Sequence, residues 1–543
     1  MNQSTRGAWI LALLFGATAT TAAQDVSPLT RAEATGFMET TRYAEAEAFL
    51  HEVADRSPDI TVTSFGYSME GRTLWLAVVG DTDGSAESVR RTGKTRVYIQ
   101  ANIHAGEVEG KEAMLSLLRE IADGTYGDWR ESMVLLIAPI YNADGNERIA
   151  LTNRRFQHGP IGGMGQRPNA QGYDLNRDHM KLESPEARSL ARMLRDYDPH
   201  VLIDLHATNG THHGYHLTYS PPLHPNTVEP IVSLLRNRLL PSVTKAIKDR
   251  DGWDFYYYGN LPREGSSRQR GWYTFDHRPR FGNNYAGLRN RIGILSEVYA
   301  YLPFEERIAV TRRFVEELLS YIHTDGPEIR QIVADADTTP LIGQQLAVRV
   351  EFERSDTRKD ILLGEVATER HPLTGRPMLR RIERQIPTRM YEFGTFTPTE
   401  TERVPSAYYI PGTLTDVIDR LQAHGVVMTQ FGVPITREVE RFKIESSTFA
   451  EREFQGHRER ALEGFYQVAE VTMMAGTRII HLDQPLGRLI FSLLEPRSDD
   501  GFVNWNVLDE ALSDADLYPI TVSYTHLRAH ETEADLVCRL LLE

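Results

Sequence analysis

The chain reads as an α/β protein: a mixed sheet covered on both sides by helices, followed by a smaller, β-rich α+β domain. Three observations predict this. Through residues 40 to 325, strand-like apolar runs alternate with amphipathic stretches, the pattern of a sheet packed between helices. Past residue 335 the texture changes to two-residue alternation, as in QQLAVRVEFER and KDILLGEVATER, with the turn signal HPLTGRPM following. The length, 543 residues, exceeds what one hydrophobic core ordinarily supports.

The elements follow in order. Arg6 precedes an apolar run from Ala8 to Ala17, and small residues continue to Ala22 and Ala23, so residues 1–23 read as a signal peptide removed before Gln24. The run is shorter than the roughly 20 residues a membrane span needs, and no later segment is long and apolar enough to span one either, so a secreted or periplasmic chain is expected. The first domain is placed at 24–335. It opens with RYAEAEAFLHEVA, where Tyr43, Ala46, Phe49, Leu50 and Val53 share one helical face. Strand-like runs follow at Arg96 to Ile103, His200 to Leu205 and Ile292 to Leu295. Ser184 and Pro185 supply a cap and a first-turn proline to a helix burying Leu190, Met193, Leu194 and Tyr197. A helix from Phe304 to His323 closes the domain.

In the second domain, 336–521, TLTDVIDRLQAHG reads as a helix stopped by Gly425. Tyr408, Tyr409, Phe502 and Trp505 are available to a glycan-binding surface, although core is the commoner fate of such residues. The stretch VSYTHLRAHET reads back, codon by codon, as a transposase sequencing adapter, so residues 522–543 are set aside as a non-native tail. That tail holds the sole cysteine, Cys538, which removes disulfides and thiol catalysis from consideration.

The chemistry gathers where the three strand-like runs stop. His104 and Glu107 follow the first, His206 ends the second, and Glu297 lies just beyond the third. Two imidazoles and one carboxylate leave a zinc ion positive and open to a further ligand, which is the catalytic rather than the structural pattern. Such an ion lowers the pKa of bound water and polarises a carbonyl oxygen. Glu297 is then the candidate general base, able to pass a proton to a leaving amine. In AQGYDLNRDHMK, Asn176 and Arg177 offer an amide beside a planar fork, suited to gripping a carboxylate, and Asp174 is placed to hold the outer nitrogen of a ligand histidine. His212, His213 and His216 are expected to line the cleft rather than to hold a second metal.

Across roughly residues 40 to 325 these motifs, in this order, resemble the zinc carboxypeptidase family that includes carboxypeptidase A. GYSMEGRTLW looks like the family's opening hairpin, HAGE like its first ligand pair, YNADGNER like its Asn-Pro-Asp-Gly turn with Ala143 for Pro, and YDLNRD like its Asp-x-Asn-Arg element. The resemblance implies a mixed sheet of the eight-stranded type and one zinc held by His104, Glu107 and His206. It also implies Glu297 as general base and acid, and Asn176 with Arg177 on the substrate's terminal carboxylate. At the family's oxyanion arginine this chain has Gln157; Arg154, Arg155 and Arg167 are alternatives, of which Arg167 is favoured. For the family's mobile tyrosine the candidates are Tyr273 and Tyr285, and Tyr285 is taken as substrate-binding.

A formal charge of −15 argues against nucleic acid or an anionic membrane as partner. The expected partner is a peptide with a free C-terminal carboxylate. A zinc deacylase or amidase acting on N-acyl amino acids or peptidoglycan fragments would use the same metal and base, and a non-catalytic metal-dependent binder is the third reading.

Overall fold

The computed structural model describes residues 27–208 and 210–524. The expected signal peptide, and the tail from residue 525 onward with Cys538, lie outside the described residues. Eight strands form the main sheet: β1 (Ile60–Tyr67), β2 (Thr73–Val79), β3 (Thr95–Ala101), β4 (Met133–Ala138), β5 (Val201–Thr208), β6 (Leu217–Ser220), β7 (Phe255–Tyr257) and β8 (Ile292–Tyr299). Their spatial order is β1-β2-β4-β3-β5-β8-β6-β7. The centre, β4-β3-β5-β8, is parallel, while β1-β2, β2-β4 and β8-β6 pair antiparallel. The sheet is therefore mixed, as expected.

Strands β3 and β4 are buried along their whole length, which is why they read as continuous apolar runs rather than alternating ones. Helices Tyr43–Arg56, Glu109–Ala122, Pro185–Tyr197 and Phe304–Thr338 pack against the sheet. Ser184 caps the third of these by accepting from the Ala187 N–H, with Pro185 in the first turn. Chain order reverses direction at β3, whose two neighbours are β4 and β5, so the crevice beyond the carboxyl ends of β3 and β5 is a topological switch point.

The closing helix runs on past His323 to Thr338, through Gly326 and Pro327. A proline inside a helix removes one backbone hydrogen bond and usually ends the pattern. Here packing overrides it: Ile329, Val333 and Ala336 are buried, and a Cβ on Gly326 would lie 2.6 Å from Thr95 Oγ1. The boundary expected at 335 thus falls inside a helix.

Beyond it stand two hairpins, Gln345–Glu353 with Thr395–Arg403 and Lys359–Arg370 with Pro377–Met390, and a six-stranded sheet. That sheet contains a long hairpin, Ile435–Phe449 with Arg460–Met473, and the strand Leu517–Ser523. Val522 and Ser523 pair with Tyr408 and Ala407, so the segment set aside from 522 loses its first residues to the fold. Tyr408, Tyr409, Phe502 and Trp505 are at most 2 % exposed, which makes them core and leaves a glycan nothing to stack on. Among the described residues no helix is long and apolar enough to cross a membrane.

Candidate metal centre and its cleft

The first two candidate ligands sit on a turn after β3. Asn102, with a left-handed φ of 62°, donates through its side-chain amide to the carbonyls of Ala105 and Glu107, fixing the turn from inside. Gly106 is required by close approach, since a Cβ there would lie 2.8 Å from the Gly165 carbonyl oxygen. Asn142, fully buried, donates to the carbonyls of Ile103 and Arg167 and accepts from the Gly145 N–H, so the Asn-Ala-Asp-Gly turn ties the ligand loop to the Arg167 loop.

His206 and Glu297 lie within β5 and β8, not beyond their ends as the apolar runs implied. They are register partners on adjacent parallel strands. Each strand continues past its polar residue because the chain on either side stays buried in the sheet.

His104 Nδ1 is 3.0 Å from Glu107 Oε1, His206 Nδ1 is 2.9 Å from Glu107 Oε2, and the two Nδ1 atoms are 3.2 Å apart. The outer nitrogens are both engaged: His104 Nε2 lies 3.0 Å from Asp174 Oδ1 and His206 Nε2 lies 2.8 Å from Asp204 Oδ2. A carboxylate fixes the proton on the nitrogen that faces it, so both Nδ1 atoms turn lone pairs toward Glu107. Two lone pairs and a carboxylate converging at these distances suit a cation. These three residues are the metal-competent cluster among the described residues.

Asp204 is a residue the sequence reading missed. It stands two positions before His206, on the same face of β5, and that spacing was its available signal. Gln100 donates to its other oxygen at 3.2 Å, and Tyr98 donates to Gln100 at 3.0 Å.

The cluster opens into a cleft of about 210 Å³ lined by Glu297, Arg154, Arg167, Asn176, Arg177 and Tyr258, with Phe275, Phe281 and Leu295 among its apolar residues. Burial pushes the Glu297 carboxyl up to about 8, with Glu107 pushing the same way against the pull of His206 and Arg167. Arg154 Nη2 donates to Glu107 Oε1 at 2.7 Å. Arg167 is anchored by two bonds to Asp174 Oδ2, 3.0 and 2.6 Å, and its Nη1 reaches within 3.3 Å of His104 Nδ1. Arg155 is exposed, over Phe156, and Gln157 is buried.

Asn176 accepts from the Gly282 N–H at 3.0 Å. Arg177 stacks on Phe281 at 4.0 Å and donates Nη1 to the Asn176 carbonyl. Asn176 Nδ2 and Arg177 Nε and Nη2 meet no protein acceptor among the described residues.

Two expectations need correcting. Tyr285 does not line this cleft: it is 1 % exposed, and its hydroxyl is shared between His424 Nδ1 at 2.8 Å and Arg289 at 3.2 Å, because its helix packs against the second domain. Tyr273 stacks on Phe393 at 4.1 Å. The tyrosine that does reach the cleft is Tyr258, its hydroxyl accepting from Asn260 at 3.0 Å. The cluster His212, His213, His216 also misses the cleft. The Lys359–Met390 hairpin covers it, with Gly214 N–H donating to Leu362 and Gly364 N–H to His212, while His213 packs on Tyr299 at 4.0 Å.

Comparison with known proteins decides the lineage. Residues 46–275 match the family model described as zinc carboxypeptidase. Residues 46–275 thus carry a zinc carboxypeptidase domain. Carboxypeptidase 2 of Trichophyton tonsurans is 25% identical over 504 residues, covering 88% of this chain and 86% of that relative. Carboxypeptidase M of Mus musculus is 33% identical over 138 residues, 24% of this chain and 29% of that one. Among solved structures, the carboxypeptidase A from Helicoverpa armigera is 18% identical, with 54% and 75% of the two chains covered and a TM-score of 0.40. The match to the fungal relative spans most of this chain and so extends beyond residues 46–275.

Proposed function

We propose that the protein removes C-terminal residues from peptides, with His104, Glu107 and His206 holding one zinc ion and Glu297 acting as general base and then general acid. The observation that carries this is the pairing, in one cleft, of Glu297 with the uncommitted donors of Asn176 and Arg177. When bound, zinc supplies an activated water and polarisation of the scissile carbonyl. Glu297, lining the cleft, would be held ionised by a cation bound at the neighbouring cluster, would accept a proton from water at its carboxylate and would return it to the departing amine.

Arg177, stiffened by Phe281, and the Asn176 amide present a fork and a second donor to the free carboxylate of the last residue. Gripping that carboxylate sets the last peptide bond, rather than an inner one, against Glu297. Arg167 is the better oxyanion donor, since Asp174 orients it toward the cluster while Arg154 is committed to Glu107. Asp174 and Asp204 keep both imidazoles in the tautomer that presents Nδ1. A deacylase or amidase would not need the paired carboxylate grip.

The compartment we infer remains outside the cell or in the periplasm, carried by the leader at residues 1–23. The test is hydrolysis of a mixed peptide library, with and without a zinc chelator, with products read by mass. Chelator-sensitive release of single C-terminal residues, absent for amidated peptides, is expected. No trimming by a zinc-loaded protein sinks the reading and favours a deacylase or amidase.

A further inference from the structure

The tip of the long hairpin in the second domain reaches the turn that carries Asn176 and Arg177. Phe454 and His457 exchange both backbone hydrogen bonds, 2.8 and 3.0 Å, around a two-residue loop of Gln455 and Gly456. Both loop residues have positive φ, 53° and 82°. A tight turn of this kind favours Asn-Gly or Gly-Gly, and a glutamine held in the left-handed region is an uncommon choice. The strain points to a use for the side chain. Gln455 Oε1 accepts from the Asp174 backbone N–H at 2.9 Å, across 281 positions of sequence.

Asp174 is the hub of the cleft's wall: its carboxylate accepts from the Asn176 N–H, holds His104 Nε2 and anchors Arg167. The same tip grips the neighbouring wall. Glu459 accepts from Arg280 Nη2 at 2.7 Å, one residue before the Phe281 on which Arg177 stacks. His457 Nε2 lies 2.8 Å from Glu183 Oε1, and Phe454 and His457 both pack on Trp505.

We propose that Gln455 is a positioning residue for the carboxylate grip: its side chain holds the Asp174–Arg177 turn so that Asn176 and Arg177 face the substrate's C-terminus. The second domain is then part of the substrate site rather than an appendage. This rests on the carboxypeptidase reading above. Loss of the contact frees the turn and weakens binding of the free carboxylate, with little effect on the proton transfers at Glu297.

The variants are Gln455→Gly, which eases the turn while deleting the side chain, and Gln455→Asn, which keeps a residue tolerant of positive φ but shortens its reach. In the full zinc-loaded chain, three readouts are compared with wild type: melting temperature with zinc content, amide hydrogen exchange over residues 173–177, and the KM and kcat for a peptide with a free C-terminus. Expected are unchanged melting and zinc content, faster exchange, and KM raised about 2- to 10-fold, the size of one net hydrogen bond, with kcat nearly constant. Exchange as slow as wild type overturns the proposal. Faster exchange with unchanged KM also overturns it, because the turn would then be tethered to no purpose. A wild-type chain that releases no C-terminal residue refutes the carboxypeptidase reading itself, and the positioning role falls with it.

Discussion

The metal cluster and the contact around Asp500 are built from similar ionisable side chains at similar depth, and they differ in where their charges are directed. At Asp500, one oxygen accepts from Arg280 Nε and the Trp505 indole, and the other from the Arg280 backbone N–H. Both carboxylate oxygens are met from within the protein, and the guanidinium is covered by Trp505 at 4.4 Å. At the cluster, the outer nitrogens are satisfied and the inner ones face one another with Glu107 between them. A buried group that closes on itself is structural; one that closes on everything except a single point is addressed to a ligand.

Substitutions sharpen that contrast. The largest effect is expected from His206→Ala, which removes one of the three proposed ligands: zinc per chain, read by elemental analysis after dialysis, should fall from about one to near zero, and activity with it. Full zinc retention would break the assignment. Asp500→Ala should leave zinc binding intact in the folded fraction but cost about 1–3 kcal/mol in denaturant unfolding, because the Arg280 Nε and backbone N–H and the Trp505 indole would lose their buried acceptor while Glu459 still pairs with the guanidinium. Asp204→Asn tests the support behind the ligand, and competition with a chelator should give zinc affinity lower by about 10- to 100-fold, with little loss of stability.

The last effect is expected from pH. Burial pulls the His424 imidazole down to about 3, and the ring bridges Tyr285 and the Met180 carbonyl at the contact between the two domains. In the unfolded chain this ring titrates near the ordinary histidine value of about 6.5. Below that value the unfolded state gains a proton that the folded state refuses, so the stability this ring contributes is complete above about 6.5 and declines as pH falls toward 3. A His424→Gln chain should show a shallower loss of melting temperature over that range. An identical slope would remove His424 from the acid response.

The sequence was most legible where function and local pattern coincide. His104, Glu107, His206 and Glu297 each stand beside an apolar run, and a sheet's parallel centre brings such positions together. Strand ends were misjudged for β5 and β8 because a polar residue within a buried strand looks like a terminus when burial is unseen. The candidates Tyr273 and Tyr285 miss the cleft and Tyr258, which lines it, was not among them, because a tyrosine in loop-like sequence carries no signal of which cavity it faces. Gln455 was illegible for a plainer reason: its partner is 281 residues away, and nothing in local periodicity encodes that pairing.

The helix Phe304–Thr338 begins against the main sheet and ends with Asn290 reaching Ala336 and Arg291 reaching Asp337. There is no hinge in it at which to cut. A shortened gene ending near residue 323 would expose the face that Ile329, Val333 and Ala336 cover, and would also strip the tip that braces Asp174. In this chain the helix makes the two halves one folding unit rather than exchangeable modules.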